Sequence, residues 1–171
     1  MNEVEIPLHP MMVHLPIGLS ILMPFIFGII IFFVRKKKVN SNTFIAAVIF
    51  QSVLTVAAFA AVQSGRIEEH RMKETGWVSH DLVEAHEHAG KRVFIVMIVT
   101  LVVSAAAIAT TKFQFPLQIG AFVLSIVVAG MITIAGHLGG ELVYIHGAAG
   151  PGQSVIQGDD SPPLPLATEP E

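Results

Sequence analysis

Residues 11–34 read "MMVHLPIGLSILMPFIFGIIIFFV", a run that contains no Asp, Glu, Lys or Arg. A helix that crosses a bilayer needs about 20 mainly apolar residues, so this run is long enough to span a membrane. Three later stretches meet the same requirement, at residues 43–62, 93–111 and 115–144. The sequence therefore predicts an all-α fold, a four-helix transmembrane bundle.

The composition agrees with a chain that is surrounded mainly by lipid. Hydrophobic residues make up 53% of the chain and charged residues 13%, with a mean hydropathy of +0.67, whereas about a quarter of a soluble domain is charged. The net charge of −3 gives no basis for nucleic-acid binding. Because the chain has no cysteine, disulfides, Cys-ligated zinc, iron–sulfur clusters and covalently attached c-type haem are excluded.

Four spans place both termini on the same side of the membrane as the connection between helices two and three. We call this the loop side, and all the His, Asp and Glu residues fall on it or at its membrane boundary. Within the long connection, residues 63–92, we expect a short interfacial helix. Residues 1–148 are predicted to form the transmembrane domain, and residues 149–171, rich in Pro, Gly and acidic residues, a disordered tail.

On the opposite side, which we call the turn side, all the charged residues are basic. They are the cluster "RKKK" (35–38) and Lys112. The Lys and Arg residues are equal in number on the two sides, but the dense cluster next to helix one favours a cytoplasmic turn side. We therefore expect a protein of a bacterial inner membrane with its loop side facing the periplasm.

The stretch "HPMMVHLP" (9–16) begins the first span. Pro10 suits the first turn of a helix, and Pro16 leaves a carbonyl about four residues back without its helical partner. His14 lies inside the span, where an ionisable side chain indicates function by default. His9 and His14 are about 140° apart on a regular helix, so they share one site only if His9 precedes the helix.

The stretch "HDLVEAHEHAGKR" (80–92) leads into helix three. His86 and His88 point to opposite sides of a helix, so one of the two is expected to face the bundle. Glu84 lies four residues before His88 and could orient its ring. The alternative for this stretch is a solvated polar segment.

The stretch "GHLGGELVYIHG" (136–147) ends helix four. His137, Glu141 and Tyr144 fall at i, i+4 and i+7, on one helix face that also carries small residues. Such a face allows a helix or a flat macrocycle to approach closely, so tight packing is the alternative to cofactor binding. His146 lies about half a turn away from His137.

These motifs place histidines from three helices at one end of the bundle, where four-helix folds hold metals and cofactors. The leading hypothesis is a membrane protein of electron transfer that binds haem b near the loop side. The expected axial ligands come first from His14, His88 and His137, and then from His9, His86 and His146. Glu141, Glu84 and Tyr144 are expected to tune the site.

Two alternatives use the same residues. The first is a non-haem copper, iron or zinc site, since imidazole and carboxylate suit these metals. The second is a non-catalytic membrane subunit whose histidines respond to pH. Expected partners are the lipid bilayer, a redox protein or a quinone, and further copies of the chain. The absence of a recognisable nucleophile or phosphate loop disfavours a hydrolase.

"HPMMVHLPIGL" and "GHLGGELVYIHG" resemble the two ends of a family of predicted bacterial four-helix membrane proteins, the domain of unknown function 2231. The resemblance covers about residues 8–147. Leu15 stands where Phe is usual, and residues 148–150 depart from the common Val-Gly-Val. The resemblance implies a small b-type cytochrome or a relative of one. It carries over His9, His14, His137 and His146, with His86 or His88 from helix three.

Overall fold

The computed structural model describes residues 8–75 and 80–145, and for residues 71–75 it describes the backbone. Four long helices occupy these residues: α1 (Leu8–Arg35), α2 (Phe44–Thr75), α3 (His80–Ala109) and α4 (Gln114–Tyr144). A single 3₁₀ turn, Ser41–Thr43, precedes α2 and is capped by the Asn40 side chain. All four helices are long and apolar enough to span a membrane, so the predicted all-α transmembrane fold is confirmed.

The helices pack in a ring in chain order. Helix α1 contacts α2 and α4, and α3 contacts the same two helices. Helices α1 and α3 are therefore diagonal partners, which face each other across the bundle axis. Short connections between successive helices are typical of antiparallel neighbours, and they bring the ends of alternate helices to the same side.

The connection between α2 and α3 differs from the prediction. Helix α2 continues to Thr75 and α3 begins at His80. The described part of residues 63–92 therefore belongs to these two long helices, and the prediction of a short interfacial helix is wrong for this part. The reason is that Glu, Arg, Lys, Met and Ala all favour the helix, although their charge ends an apolar run. The predicted tail, residues 149–171, lies outside the described residues.

Apolar side chains fill the interior of the bundle. Met23, Phe27, Phe44, Leu54 and Met97 are the largest of them and are all fully buried. A second set of large apolar side chains points outward from every helix. In water such a surface would be unfavourable, but in a bilayer it contacts the lipid chains. This arrangement supports the integral membrane protein that the composition predicts.

The interior also holds a group of buried polar side chains. Most of their hydroxyl groups donate to a carbonyl of their own helix, as Ser20 Oγ does to Pro16 O at 2.6 Å and Thr100 Oγ1 does to Val96 O at 2.7 Å. Gln51 instead joins two helices, because its Nε2 donates to the Met97 carbonyl at 3.3 Å. Polar groups in a transmembrane core need such partners because no water replaces them.

Candidate cofactor site

A cavity of about 400 Å³ opens at the loop-side end of the bundle, and all four helices line it. Its walls are mainly apolar, with Ala58, Val93, Met97 and Ile132 among the lining residues. Binding sites for small molecules and cofactors are typically apolar cavities of this size that carry a few polar groups. Here His9 and His86 are two of the polar groups.

The cavity mouth lies at the loop-side boundary of the membrane. At about 1.5 Å per residue, His9 lies about 39 Å along α1 from Arg35 on the turn side, and His86 about 35 Å along α3 from Ala109. Both distances exceed the hydrocarbon thickness of about 30 Å. When the turn-side ends of α1 and α3 are placed at one boundary of the hydrocarbon, the two imidazoles lie at the headgroup level of the other, whereas the floor of the cavity reaches into the apolar core.

His9 is half-buried and is held by α2. Its Nδ1 lies 3.0 Å from Ser64 Oγ, and Ser64 Oγ itself donates to the Ala61 carbonyl at 2.9 Å. A serine hydroxyl has one proton to donate. A bond in which His9 Nδ1 donates to Ser64 Oγ is compatible with the Ser64–Ala61 bond, and the tautomer of His9 decides its direction.

His86 is also half-buried and is held by α4. Its Nδ1 lies 3.1 Å from the backbone carbonyl of Ala135. A carbonyl oxygen only accepts hydrogen bonds, so His86 Nδ1 carries a proton as well. In its neutral form, His86 thus keeps Nε2 unprotonated, with a lone pair that can bind a metal ion, and His9 does the same in the tautomer that donates from Nδ1 to Ser64.

The two rings meet across the bundle axis. Their centroids are 6.1 Å apart and their planes make an angle of 77°. Each ring also packs against a glycine of the helix that holds it: a Cβ atom on Gly65 would lie 3.0 Å from Cε1 of His9, and one on Gly139 would lie 2.9 Å from Cε1 of His86. Glycine at these two positions makes room for the imidazoles.

The remaining histidines of the predicted site lie apart from this pair. His14 is exposed but lines the cavity, and His137 is exposed on α4, outside the cavity lining that the structure describes. Tyr144 is exposed and lines the cavity, while Glu141 is only partly buried. His146 lies outside the described residues.

On α3, one histidine faces the bundle, as predicted, and it is His86. His88 faces outward, with its side chain 52% exposed, and its Nε2 lies 3.2 Å from Oε1 of Glu84. The expected pairing of His88 with Glu84 is therefore present, but on the outer surface of the helix. Over residues 8–75 and 80–145, no three His, Asp or Glu side chains come together as a group that could hold a metal ion.

Sequence reasoning missed the groups that hold the two rings. Ser64 and Gly65 fall just after the second apolar run, where the chain was expected to leave the helix. The dipeptide Ser-Gly at the end of that run could have indicated this site. A serine hydroxyl can form a hydrogen bond with a ring from a neighbouring helix, and a glycine leaves room for that ring. Gly140 belongs to the face of small residues that was predicted for helix four, but Gly139, against which the His86 ring packs, was not placed on it.

Comparison with protein families agrees with the fold. The family model described as "Predicted membrane protein (DUF2231)" matches residues 5–150. This match covers all four helices and most of the chain, so the protein belongs to that family. No curated protein and no solved structure matches the chain.

Proposed function

We propose that this member of the family is a b-type haem protein of electron transfer, in which His9 and His86 would hold the haem iron. The observation that carries the proposal is the meeting of two imidazoles from diagonal helices at one apolar cavity, with centroids 6.1 Å apart. Bundle cores hold cofactors between side chains of facing helices in this way.

The hydrogen bonds of the two rings support metal binding. A histidine that binds a metal usually donates its other ring N–H to a carbonyl, carboxylate or water, which fixes the tautomer and the ring orientation. His86 Nδ1 donates to the Ala135 carbonyl, and His9 Nδ1 is hydrogen-bonded to Ser64 Oγ, which can accept its proton. Both bonds hold the rings with Nε2 as the nitrogen that is left to bind.

The number of donors favours haem over a bare metal ion. Zinc sites in proteins take three or four ligands from the chain. The structure brings two imidazoles together and, over the part of the chain that it describes, no larger ligand group. A haem iron takes its equatorial donors from the porphyrin, so a pair of histidines completes its coordination.

The walls of the cavity also suit a flat apolar molecule. Ala58, Ala61, Gly136 and Gly140 present little side-chain bulk, while Val93 and Ile132 present apolar surface. A bound haem would supply a one-electron ferric–ferrous couple, and this chain would contribute its ligands, its orientation and its exclusion from water. The exposed His14 and Tyr144 lie at the cavity lining, where they could contact the haem edge.

The location of the cavity limits where electrons are exchanged. Both imidazoles lie at the loop-side boundary, so a haem there would react with a partner protein or a quinone on that side, not carry electrons across the bilayer. We infer that the protein lies in a bacterial inner membrane with its "RKKK" cluster in the cytoplasm and the cavity on the periplasmic side.

Visible spectroscopy with metal analysis tests this function directly. The protein should be expressed with haem precursors supplied, purified in detergent, and recorded as a reduced-minus-oxidised spectrum with iron, copper and zinc measured in the same sample. We expect a Soret band and a sharp reduced α-band, with iron stoichiometric to haem. Colourless protein that carries stoichiometric copper or zinc, or that stays colourless after added haemin, would overturn the proposal.

A further inference from the structure

The turn side of the bundle carries a dense group of exposed cations. Five basic residues form what we call the turn face: Arg35, Lys36, Lys37, Lys38 and Lys112, all of them exposed. Arg35 is the last residue of α1, Lys36, Lys37 and Lys38 follow it directly, and Lys112 lies in the connection between α3 and α4. The folded chain therefore brings two separate loops together into one positively charged surface.

No carboxylate of the neighbouring segments neutralises this charge. The sequence has no Asp or Glu between Glu5 and Glu68, or between Glu87 and Glu141. The two turns and the helix halves that lead into them lie inside these intervals. The turn face must therefore find its counter-charge outside these segments, from solution ions or from the membrane.

Aromatic rings hold four of the five cations at the edge of the apolar surface. Arg35 Cζ lies 4.3 Å from the ring centre of Phe115, which joins α1 to α4. The ammonium groups of three lysines lie near Phe rings of their own segment: Lys36 by Phe32 at 5.9 Å, Lys38 by Phe33 at 6.0 Å and Lys112 by Phe113 at 5.4 Å. Cation–π attraction favours such placements.

The exposure of these rings fixes the depth of the turn face. Phe32, Phe33, Phe113 and Phe115 are all exposed on the outside of the bundle, so in a bilayer they lie among the acyl chains next to the headgroups. The cations that stack on them are then held at the level of the lipid phosphates. Lysine clusters directly next to a transmembrane helix attract anionic lipids.

We propose that the turn face is a binding site for the phosphate headgroups of anionic phospholipids. Charge complementarity, the Arg35–Phe115 contact between the turn-side ends of α1 and α4, and the depth set by the phenylalanine rings support this partner. The site is at the opposite end of the molecule from the histidine cavity and does not depend on what that cavity binds.

Lipid retention tests the proposal. The whole protein, purified in detergent, is mixed with equal amounts of phosphatidylglycerol and phosphatidylcholine with the same acyl chains, and the retained lipids are counted by native mass spectrometry. We expect phosphatidylglycerol to be retained preferentially. The double variant Lys36→Gln/Lys38→Gln should lose about thirtyfold in that preference, while Lys91→Gln/Arg92→Gln, which removes two positive charges from the loop side, should keep it.

Equal retention of the two lipids by the natural protein, or an equal loss in both double variants, would overturn the proposal. A charge-conserving variant, Lys36→Arg/Lys38→Arg, should keep the preference and shows whether positive charge or lysine itself is needed. If the glutamine variant fails to fold, a second measurement tests the proposal. The binding of the natural protein to phosphatidylglycerol vesicles is then measured at increasing salt concentration. The bound fraction must fall as salt screens the charges, and a fraction that does not change would contradict a headgroup site.

Discussion

His9 and His86 lie edge to face across the axis of the bundle, with ring centroids 6.1 Å apart. They come from diagonal helices and are held by the two helices between them, His9 by Ser64 of α2 and His86 by the Ala135 carbonyl of α4. All four helices thus take part in placing two imidazoles.

Gly139 is the contact surface of the His86 ring, so alanine at this position is expected to displace it. The added Cβ would lie 2.9 Å from Cε1 of His86, and overpacking of this kind costs about 1–3 kcal/mol. We expect Gly139→Ala to lower both the stability in detergent and the affinity for haem. Thermal unfolding and haem titration of the purified variant measure the two effects.

The matched control is Gly130→Ala on the same helix, where a new Cβ meets nothing within 4 Å. Alanine favours a helix by up to about 1 kcal/mol over glycine, so this variant should be as stable as the natural protein or more stable. If Gly139→Ala is as stable as Gly130→Ala and binds haem equally well, then the packing of His86 against α4 does not position the ring.

Ser64 Oγ is hydrogen-bonded to His9 Nδ1 at 3.0 Å, so removal of the hydroxyl should loosen that ring. Loss of such an outer partner typically weakens metal binding 10–100-fold, so we expect Ser64→Ala to bind haem about 10–100-fold more weakly. Ser52→Ala provides the comparison, because Ser52 Oγ donates only within its own helix, to the Val48 carbonyl at 2.8 Å. Titration of both variants with haemin gives the result, and equal affinities would argue against the role of Ser64.

The general plan of the molecule could be predicted from the sequence, because long apolar runs report directly on membrane spans. The ends of α2 and α3 could not, since an apolar run stops where charged residues begin, whereas Glu68, Glu69 and Glu84 are good helix formers. Hydropathy marks the membrane boundary and helix propensity marks the helix end. In α2 the two differ by about three turns.

The histidines that come together were also among those predicted, but they were not the ones placed first. His14 was favoured over His9 because it lies deeper in the span. In the structure His14 is exposed and His9 is half-buried. This difference depends on the rotation of α1 about its own axis. That rotation follows from packing against α2 and α4, where Ser64 and Gly65 form the seat of His9, and no pattern within α1 contains this information.

Because His14 and His137 are exposed, we expect the double variant His14→Ala/His137→Ala to keep its haem. The structure leaves both rings outside the pair of facing imidazoles. The reduced-minus-oxidised spectrum of the double variant should therefore keep the α-band of the natural protein, with only small shifts from the changed surroundings. A loss of the band would mean that one of these exposed residues is an axial ligand after all.

Replacement by methionine is expected to change the free energy of unfolding in opposite directions at two buried glutamines. Gln51 Nε2 donates to the Met97 carbonyl on the next helix at 3.3 Å, whereas Gln118 Nε2 is buried and has no hydrogen-bond partner among the described residues. Interhelical hydrogen bonds in membranes are worth about 0.6 kcal/mol on average, and a buried unsatisfied group costs about 1–3 kcal/mol.

We therefore expect Gln51→Met to lower the free energy of unfolding by about 0.5–1.5 kcal/mol, and Gln118→Met to raise it by about 1 kcal/mol. Reversible unfolding in mixed micelles measures both. Methionine is similar to glutamine in length and shape, so packing changes little in either variant. A lower stability of Gln118→Met than of the natural protein would show that its amide has a partner in the folded state.

The most direct test of the central claim compares two histidines that are two residues apart on α3. His86 faces His9 across the cavity, while His88 points outward, with its side chain 52% exposed. Each is replaced by alanine, His9→Ala is made in parallel, and the reduced-minus-oxidised spectrum is recorded at equal protein concentration. We predict that His86→Ala and His9→Ala lose the haem α-band and that His88→Ala keeps it. Equal haem bands in all three variants, or a loss confined to His88→Ala, would contradict the assignment of His9 and His86 as the ligands.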